Sequence, residues 1–208
     1  MSQRMTTKYP VVVPGVGPVP APGMIVGEAP GRNEIEQGIP FCGKSGALLN
    51  DALEASGRTR DEFFITNIYK GDVGIGNRNP NPDEIQDHWE ILKGELSLCN
   101  PKSILLLGSV AAQTFFPEIR GLGSVVGQMG GWAGYATMVL YHPAYVLRGG
   151  YSRQLWVSHV GRFVESTNEK PQGSEMCPRC FEIMEWRHGC YQCPYCRYKA
   201  GCCDGDTG

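Results

Sequence analysis

The sequence contains no run of about 18 or more apolar residues, which excludes a helix that crosses a membrane. Its opening, MSQRMTTKYP, has no apolar centre of the kind an export signal needs, so a cytoplasmic location is expected. Positive charge is not in surplus: 19 Lys and Arg face 21 Asp and Glu, for a formal net charge of −2. That balance counts mildly against a nucleic-acid partner without excluding one, since an enzyme that grips a few phosphates needs only a local positive rim. Arg32, Lys44, Lys70, Arg78, Arg148 and Arg153 are candidates for such a rim, each weighed against the plainer role of a solvated surface charge. Cysteine is nearly missing from residues 1–176, where only Cys42 and Cys99 occur, yet seven more crowd residues 177–203. In a cytoplasmic chain that clustering points to metal rather than to disulfides. An apolar fraction of 41% against 19% charged residues excludes disorder, and 208 residues accommodate one ordinary domain with a small appendage.

What is present is an alternation of short apolar runs with helical periods. Residues 1–23, rich in Pro, Gly and Val, read as an irregular lead-in. Residues 24–26 read as a short strand that enters the turn Gly27-Glu28-Ala29-Pro30-Gly31. Residues 45–55 carry Leu48, Leu49 and Leu53 on one helical face, with Gly57 as the stop. Residues 63–68 predict a second strand, followed by a loop rich in Gly, Asn and Pro. A helix is predicted over 83–98, with Ile85, Trp89, Leu92 and Leu96 on one face. A buried strand follows over 104–107, then a helix over 110–116 capped by Ser109. Residues 121–134 are Gly-rich and predict loop and edge structure. A strand over 137–141 ends at His142-Pro143, and a last helix spans 152–165. This order predicts an α/β fold: three α/β/α layers around a mostly parallel central sheet. Ligands of such sheets bind at the carboxyl ends of the strands, here the loops 27–31, 67–79 and 142–148. Residues 167–176, TNEKPQGSEM, have the composition of a linker.

Three polar residues stand at those strand ends. Glu28 is a carboxylate in a Gly/Pro turn, suited either to capping the next helix or to facing a ligand. Asn67 ends an apolar strand, where Asn is depleted, which implies a hydrogen-bonding duty to the next loop or to a ligand. His142 is one of four histidines and lies directly beyond a strand. Phe41 follows Pro40 between Gly38 and Gly43, a loop setting that suits a stacking surface better than a periodic core position.

Five motifs in register across residues 24–166 carry a resemblance: GEAPGRNEIEQGIPFCGKSGALLNDALEASG, ITNIYK, GNRNPNPDEI, PKSILLLGSVAAQ and YHPAYVLR. Together they resemble the uracil-DNA glycosylase superfamily, in the pattern of its iron–sulfur branch, family 4. The resemblance implies a DNA glycosylase domain over 24–166, single- or double-stranded DNA as partner, and a monomer. It makes Glu28 the residue that orients a water and stabilises positive charge on C1′ of an oxocarbenium-like transition state. Gly27 would let the backbone approach the base, Phe41 would stack on it, and Asn67 would read its Watson–Crick edge, an amide being suited to N3–H and O4 of uracil. His142 would donate to O2 of the leaving base. Tyr145, Val146 and Leu147 would wedge into the duplex, with Arg148, Lys44 and Arg78 as DNA contacts.

The departures from the family pattern concern metal. Of the cluster cysteines that the resemblance implies, the N-terminal pair is missing, Gly71 stands after Lys70, and Cys99 remains as a single thiol. No iron–sulfur cluster is therefore expected. The tail from 177 to 208 instead carries Cys177-x2-Cys180 and Cys193-x2-Cys196, two knuckles that predict a zinc ribbon holding one structural Zn²⁺ through four thiolates. Cys190-x2-Cys193 is the competing second knuckle, and Cys202, Cys203 and His188 are spare. Removal of uracil is the leading expectation. The same chemistry on a C5-modified pyrimidine, as in defence against phage, and a DNA-binding or trapping protein without turnover are the alternatives.

Overall fold

The computed structural model describes residues 8–74, 78–168, 185–187, 190–192, 197 and 199–200. Its centre is a five-stranded sheet formed by β1 (Gly23–Gly27), β2 (Phe64–Asn67), β3 (Ser103–Leu107), β4 (Met129–Trp132) and β5 (Tyr135–Leu140). Around it lie α1 (Arg32–Gln37), α2 (Lys44–Ala55), α3 (Pro82–Cys99), α4 (Ser109–Phe115), α5 (Pro143–Leu147) and α6 (Arg153–Ser166). The strand order is β2-β1-β3-β5-β4. β1 pairs in parallel with β2 and β3, and β3 with β5, whereas β4 runs antiparallel at the edge.

Every residue of β1, β2 and β3 is buried, which is why these strands read as continuous apolar runs. Successive side chains point to opposite faces. Ile25, Leu105, Leu107 and Met138 pack with Leu48, Leu49 and Leu53 of α2 and with Trp156, Val160 and Phe163 of α6. Met24, Val26, Ile104 and Leu106 pack with Leu92 and Leu96 of α3 and with Ala111, Ala112 and Phe115 of α4. Helices thus cover both faces of the sheet. The chain leaves β1 for β2 on one side and returns to β3 on the other, so the loops beyond β1 and β3 diverge and leave a crevice.

Several boundaries differ from the sequence reading for local reasons. α3 starts at Pro82 because the Asn81 side chain accepts from Glu84 N at 2.9 Å while the Glu84 carboxylate accepts from Asn81 N at 2.7 Å. Ser109 is not a cap but the first residue of α4; the cap is Gly108, whose φ of 99° suits glycine. The short helices α1 and α5 escaped the sequence reading because six and five residues are too few to show a helical period. The stretch 121–134 resolves into a 3-10 turn, Leu122–Ser124, and the edge strand β4.

The described part of the lead-in packs against the sheet although it forms neither helix nor strand. Val16 bridges Ile65 on the free side of β2, and the amides of Val12 and Val13 both donate to Lys70 O at 2.9 Å. This closes an otherwise open edge. In the tail, β6 (Glu185–Arg187), β7 (Cys190–Gln192) and β8 (Lys199–Ala200) form a separate antiparallel sheet in the order β6-β7-β8.

Candidate active site

A cavity of about 900 Å³ opens at the carboxyl ends of the strands, and Glu28, Phe41, Asn67 and His142 all line it. The sequence predicted each of them separately, and the fold brings them into one place. Gly27 is behind the wall rather than in it. A Cβ there would stand 2.3 Å from Asn67 Oδ1 and 2.6 Å from the Phe41 ring, so only glycine lets these two side chains meet across the end of β1.

Asn67 is 2% exposed, and its Nδ2 has no hydrogen-bond partner among the described residues. A buried amide donor without a partner carries a desolvation penalty, and a ligand acceptor in the cavity would relieve it. The Asn67 carbonyl is held from behind by Lys70 Nζ at 2.8 Å. Lys70 also pairs with Glu95 at 3.1 Å and is completely buried, which pushes its ammonium pKa down although Glu95 opposes that shift. Lys70 therefore does not belong to a positive rim; the sequence could not separate it from the surface cations because its partner, Glu95, lies a whole helix away.

His142 sits between β5 and α5. Gly108, across from it, leaves room for its side chain, and the Trp156 indole N–H donates to Tyr141 O at 2.9 Å to fix the strand end. Its Nδ1 accepts from the Ala144 main-chain N–H at 3.2 Å. A main-chain N–H can only donate, so Nδ1 is unprotonated and the ring proton resides on Nε2. Burial, and secondarily Arg148, push the His142 pKa down to about 4, so the ring is neutral at neutral pH.

Glu28 lies in a turn stitched to the end of β2: Ile68 N donates to Gly27 O at 2.9 Å and Tyr69 N to Glu28 O at 3.0 Å. Burial pushes its carboxyl pKa up. Phe41 is 2% exposed, adopts a left-handed φ of 53°, and holds its ring 5.8 Å from that of His142. The cavity thus offers a desolvated carboxylate, an aromatic face, an unpartnered amide donor and a neutral imidazole N–H, a set suited to a planar polar base and the sugar attached to it.

The sequence profile of the Uracil DNA glycosylase superfamily matches residues 14–159. The chain belongs to that superfamily. It is a DNA glycosylase. It is similar to proteins named Type-4 uracil-DNA glycosylase. With that of Pyrobaculum aerophilum it is 39% identical over 145 residues, 65% of this chain and 73% of the relative. With that of Archaeoglobus fulgidus it is 34% identical over 166 residues, 76% of this chain and 83% of the relative. With that of Saccharolobus solfataricus it is 33% identical over 168 residues, 76% of this chain and 77% of the relative.

The remaining predicted DNA contacts of this glycosylase divide. Lys44 and Arg148 are exposed and line the cavity. Tyr145 and Leu147 are 41% and 48% exposed on α5. Val146, by contrast, is 5% exposed and packs into the core with Trp156, so it anchors α5 instead of wedging outward. Arg78 lines the cavity but holds Glu84 through both guanidinium nitrogens, at 2.7 and 2.6 Å. Arg153 pairs with Asp51 at 2.8 Å.

A side chain at position 71 would meet the Tyr69 hydroxyl at 2.4 Å. Cys99 is fully buried, and burial pushes its thiol up to about 12. Among the described residues no group of three or more His, Cys, Asp or Glu is arranged to hold a metal ion. Residues 8–168 hold two thiols, Cys42 and Cys99, whereas an iron–sulfur cluster takes four ligands, usually thiolates. The predicted zinc ligands Cys177, Cys180, Cys193 and Cys196 lie outside the described residues. Among the wall residues that sequence reasoning did not assign to the site are Glu34, whose carboxylate accepts from the amide of Gly31 three residues before it, and Ser109.

Proposed function

We propose that this DNA glycosylase hydrolyses the N-glycosidic bond of a uracil flipped out of DNA and leaves an abasic site. The observation that carries this reading is the tautomer of His142, a neutral imidazole with its proton on Nε2 in the same cavity as the unpartnered Asn67 amide. The C1′–N1 bond breaks with its electron pair going to the base, and the oxygen of a water bonds to C1′. In the net reaction the water proton neutralises the departing uracil anion. His142 Nε2–H donates to O2 of the base, where negative charge develops. Because it is neutral it does so without a proton being lost from an imidazolium. Glu28 accepts a hydrogen bond from the attacking water and stabilises the positive sugar, an attraction strengthened by its desolvation. Phe41 stacks on the base, and Asn67 Nδ2 donates to O4 while Oδ1 accepts from N3–H.

DNA is held by Lys44, Arg148, Tyr145 and Leu147 around the cavity mouth, with Arg78 shaping its wall through Glu84. The enzyme acts as a cytoplasmic monomer. In the tail, the strands β6 and β7 fall between the two cysteine knuckles and β8 follows the second, an arrangement that supports a ribbon in which Cys177, Cys180, Cys193 and Cys196 hold one structural Zn²⁺.

The 28–34 stretch of the wall is Glu-Ala-Pro-Gly-Arg-Asn-Glu and contains no aromatic to crowd C5 of the base. A C5-substituted pyrimidine is the second reading that this observation favours. The test of both is mass spectrometry of bases released from oligonucleotides carrying uracil, thymine or C5-modified pyrimidines. Free uracil as the main product supports the first reading; intact uracil DNA with release of a modified base supports the second.

A further inference from the structure

Behind Phe41 lies a buried clamp. Both oxygens of the Glu34 carboxylate are used: Oε2 accepts from the amide of Gly31, in the Glu28 turn, and Oε1 from the amide of Phe41. Glu34 is 9% exposed. From the other side the guanidinium of Arg60 donates to Phe41 O and to Pro40 O, each at 2.9 Å. Phe41 adopts a φ of 53°, which bulky L-residues seldom do unless their surroundings impose it. The seat for this loop is Gly46 of α2, where a Cβ would stand 1.7 Å from Phe41 O.

We infer that Glu34 is a positioning residue that sets the aromatic platform of Phe41 against the turn bearing Glu28. The inference rests on the proposed function, since it takes Phe41 as the face on which the base stacks. Two main-chain N–H groups, one from each loop, converge on one side chain, so the distance from platform to carboxylate is fixed by a single group. Only an ionised carboxylate satisfies both donors through acceptor oxygens. Glutamine offers one such oxygen and turns an NH2 group toward the second N–H. Arg60 completes the clamp by holding the carbonyls of the same loop. Burial pushes the Glu34 carboxyl pKa up, and the Gly31 and Phe41 amides, then the charge of Arg60, oppose that shift. Alanine at position 34 frees both loops, and Phe41 is then released from its left-handed conformation. Misplacement of a reacting group by about an ångström costs on the order of 100-fold in rate.

The experiment uses the full chain and the variants Glu34→Gln, Glu34→Ala and, as a control, Val164→Ala, a core residue that does not line the cavity. Four quantities are read: the single-turnover rate on uracil DNA, inhibition by free uracil, melting temperature, and hydrogen exchange at the Gly31 and Phe41 amides. The clamp predicts that Glu34→Gln lowers the rate by about 10- to 100-fold and weakens inhibition by free uracil, while Val164→Ala with a similar loss of melting temperature stays within about threefold of the wild type. A Glu34→Gln rate within about threefold of the wild type overturns the inference, as does an equal loss in Val164→Ala at matched stability. The exchange arm stands apart from the substrate. Faster exchange at both amides in Glu34→Gln supports the clamp even if the wild type leaves uracil untouched, in which case the functional reading fails by itself. Unchanged protection at Gly31 and Phe41 overturns the clamp.

Discussion

The Ala144 main-chain N–H donates to Nδ1 of His142 at 3.2 Å, and this one bond decides what the imidazole can do. With Nδ1 engaged as an acceptor, Nε2 carries the proton and the neutral ring is a donor. His142→Ala should therefore lower the single-turnover rate by roughly 10²- to 10³-fold. Circular dichroism should show the fold intact, because Gly108 and Pro143 keep the backbone path. A rate near that of the wild type would remove His142 from the chemistry.

Activity should fall as pH drops. In the proposed mechanism Glu28 acts ionised to stabilise the sugar cation, and burial holds its pKa above the ordinary 4.5. The acid limb of kcat/KM therefore lies above the usual carboxylate range, with loss of rate as pH falls through it. His142 titrates lower, near 4, and remains a neutral donor across that limb. Glu28→Gln should be slower and flat over the same range, as pH–rate profiles of the two proteins will show. Stability has its own dependence. The folded His142 pKa is depressed from 6.5 to about 4, so its contribution is full above 6.5 and is lost as pH falls toward 4. A His142→Gln variant should lose less stability than the wild type over that window, as measured by urea unfolding.

The buried Lys70 pairs at 3.1 Å with the partly buried Glu95 and also holds the Asn67 main-chain carbonyl. Replacing Lys70 by Met leaves Glu95 without its countercharge and should cost about 3–5 kcal/mol in urea unfolding. The double variant Lys70→Met, Glu95→Gln should recover part of that loss, because no unpaired charge then remains buried. A double variant no more stable than the single one would show that the charge of Glu95 is not the source of the penalty.

Much of the fold was legible because each central strand is short and apolar throughout and each long helix repeats at three and four residues. Leu48, Leu49 and Leu53 of α2 and Leu92 and Leu96 of α3 lie against the sheet, as their spacing predicted. The candidate site was legible to the extent that polar residues end such runs, as Glu28, Asn67 and His142 do, and all three line one cavity. What escaped depended on partners distant in the chain. Lys70 looks like any surface lysine until Glu95 is placed beside it. Val146 looks like part of an exposed wedge until Trp156 covers it. Glu34 sits in a six-residue helix with no period to reveal it, and its role appears only when Phe41 N folds back onto its carboxylate.

Metal analysis of the purified chain should find about one zinc and no iron, since the donor set at the body of the fold does not fit a cluster while four ribbon thiolates suit tetrahedral Zn²⁺. Cys177→Ser and Cys196→Ser should each lose the zinc, and Cys190→Ser should keep it, as read by inductively coupled plasma mass spectrometry. Iron in stoichiometric amount, or zinc lost only from the Cys190 variant, contradicts this assignment.

The central claim is that the amide of Asn67 reads uracil in the cavity shared with His142. The most direct measurement is the base released from matched uracil-, cytosine- and thymine-containing oligonucleotides by the wild type and by Asn67→Asp. The account predicts that the wild type releases uracil and leaves cytosine intact. It predicts that Asn67→Asp loses much of this preference, because an ionised carboxylate accepts from N4 of cytosine but cannot donate to O4 of uracil. An Asn67→Asp enzyme with undiminished uracil preference, or a wild type that releases no uracil, would contradict it.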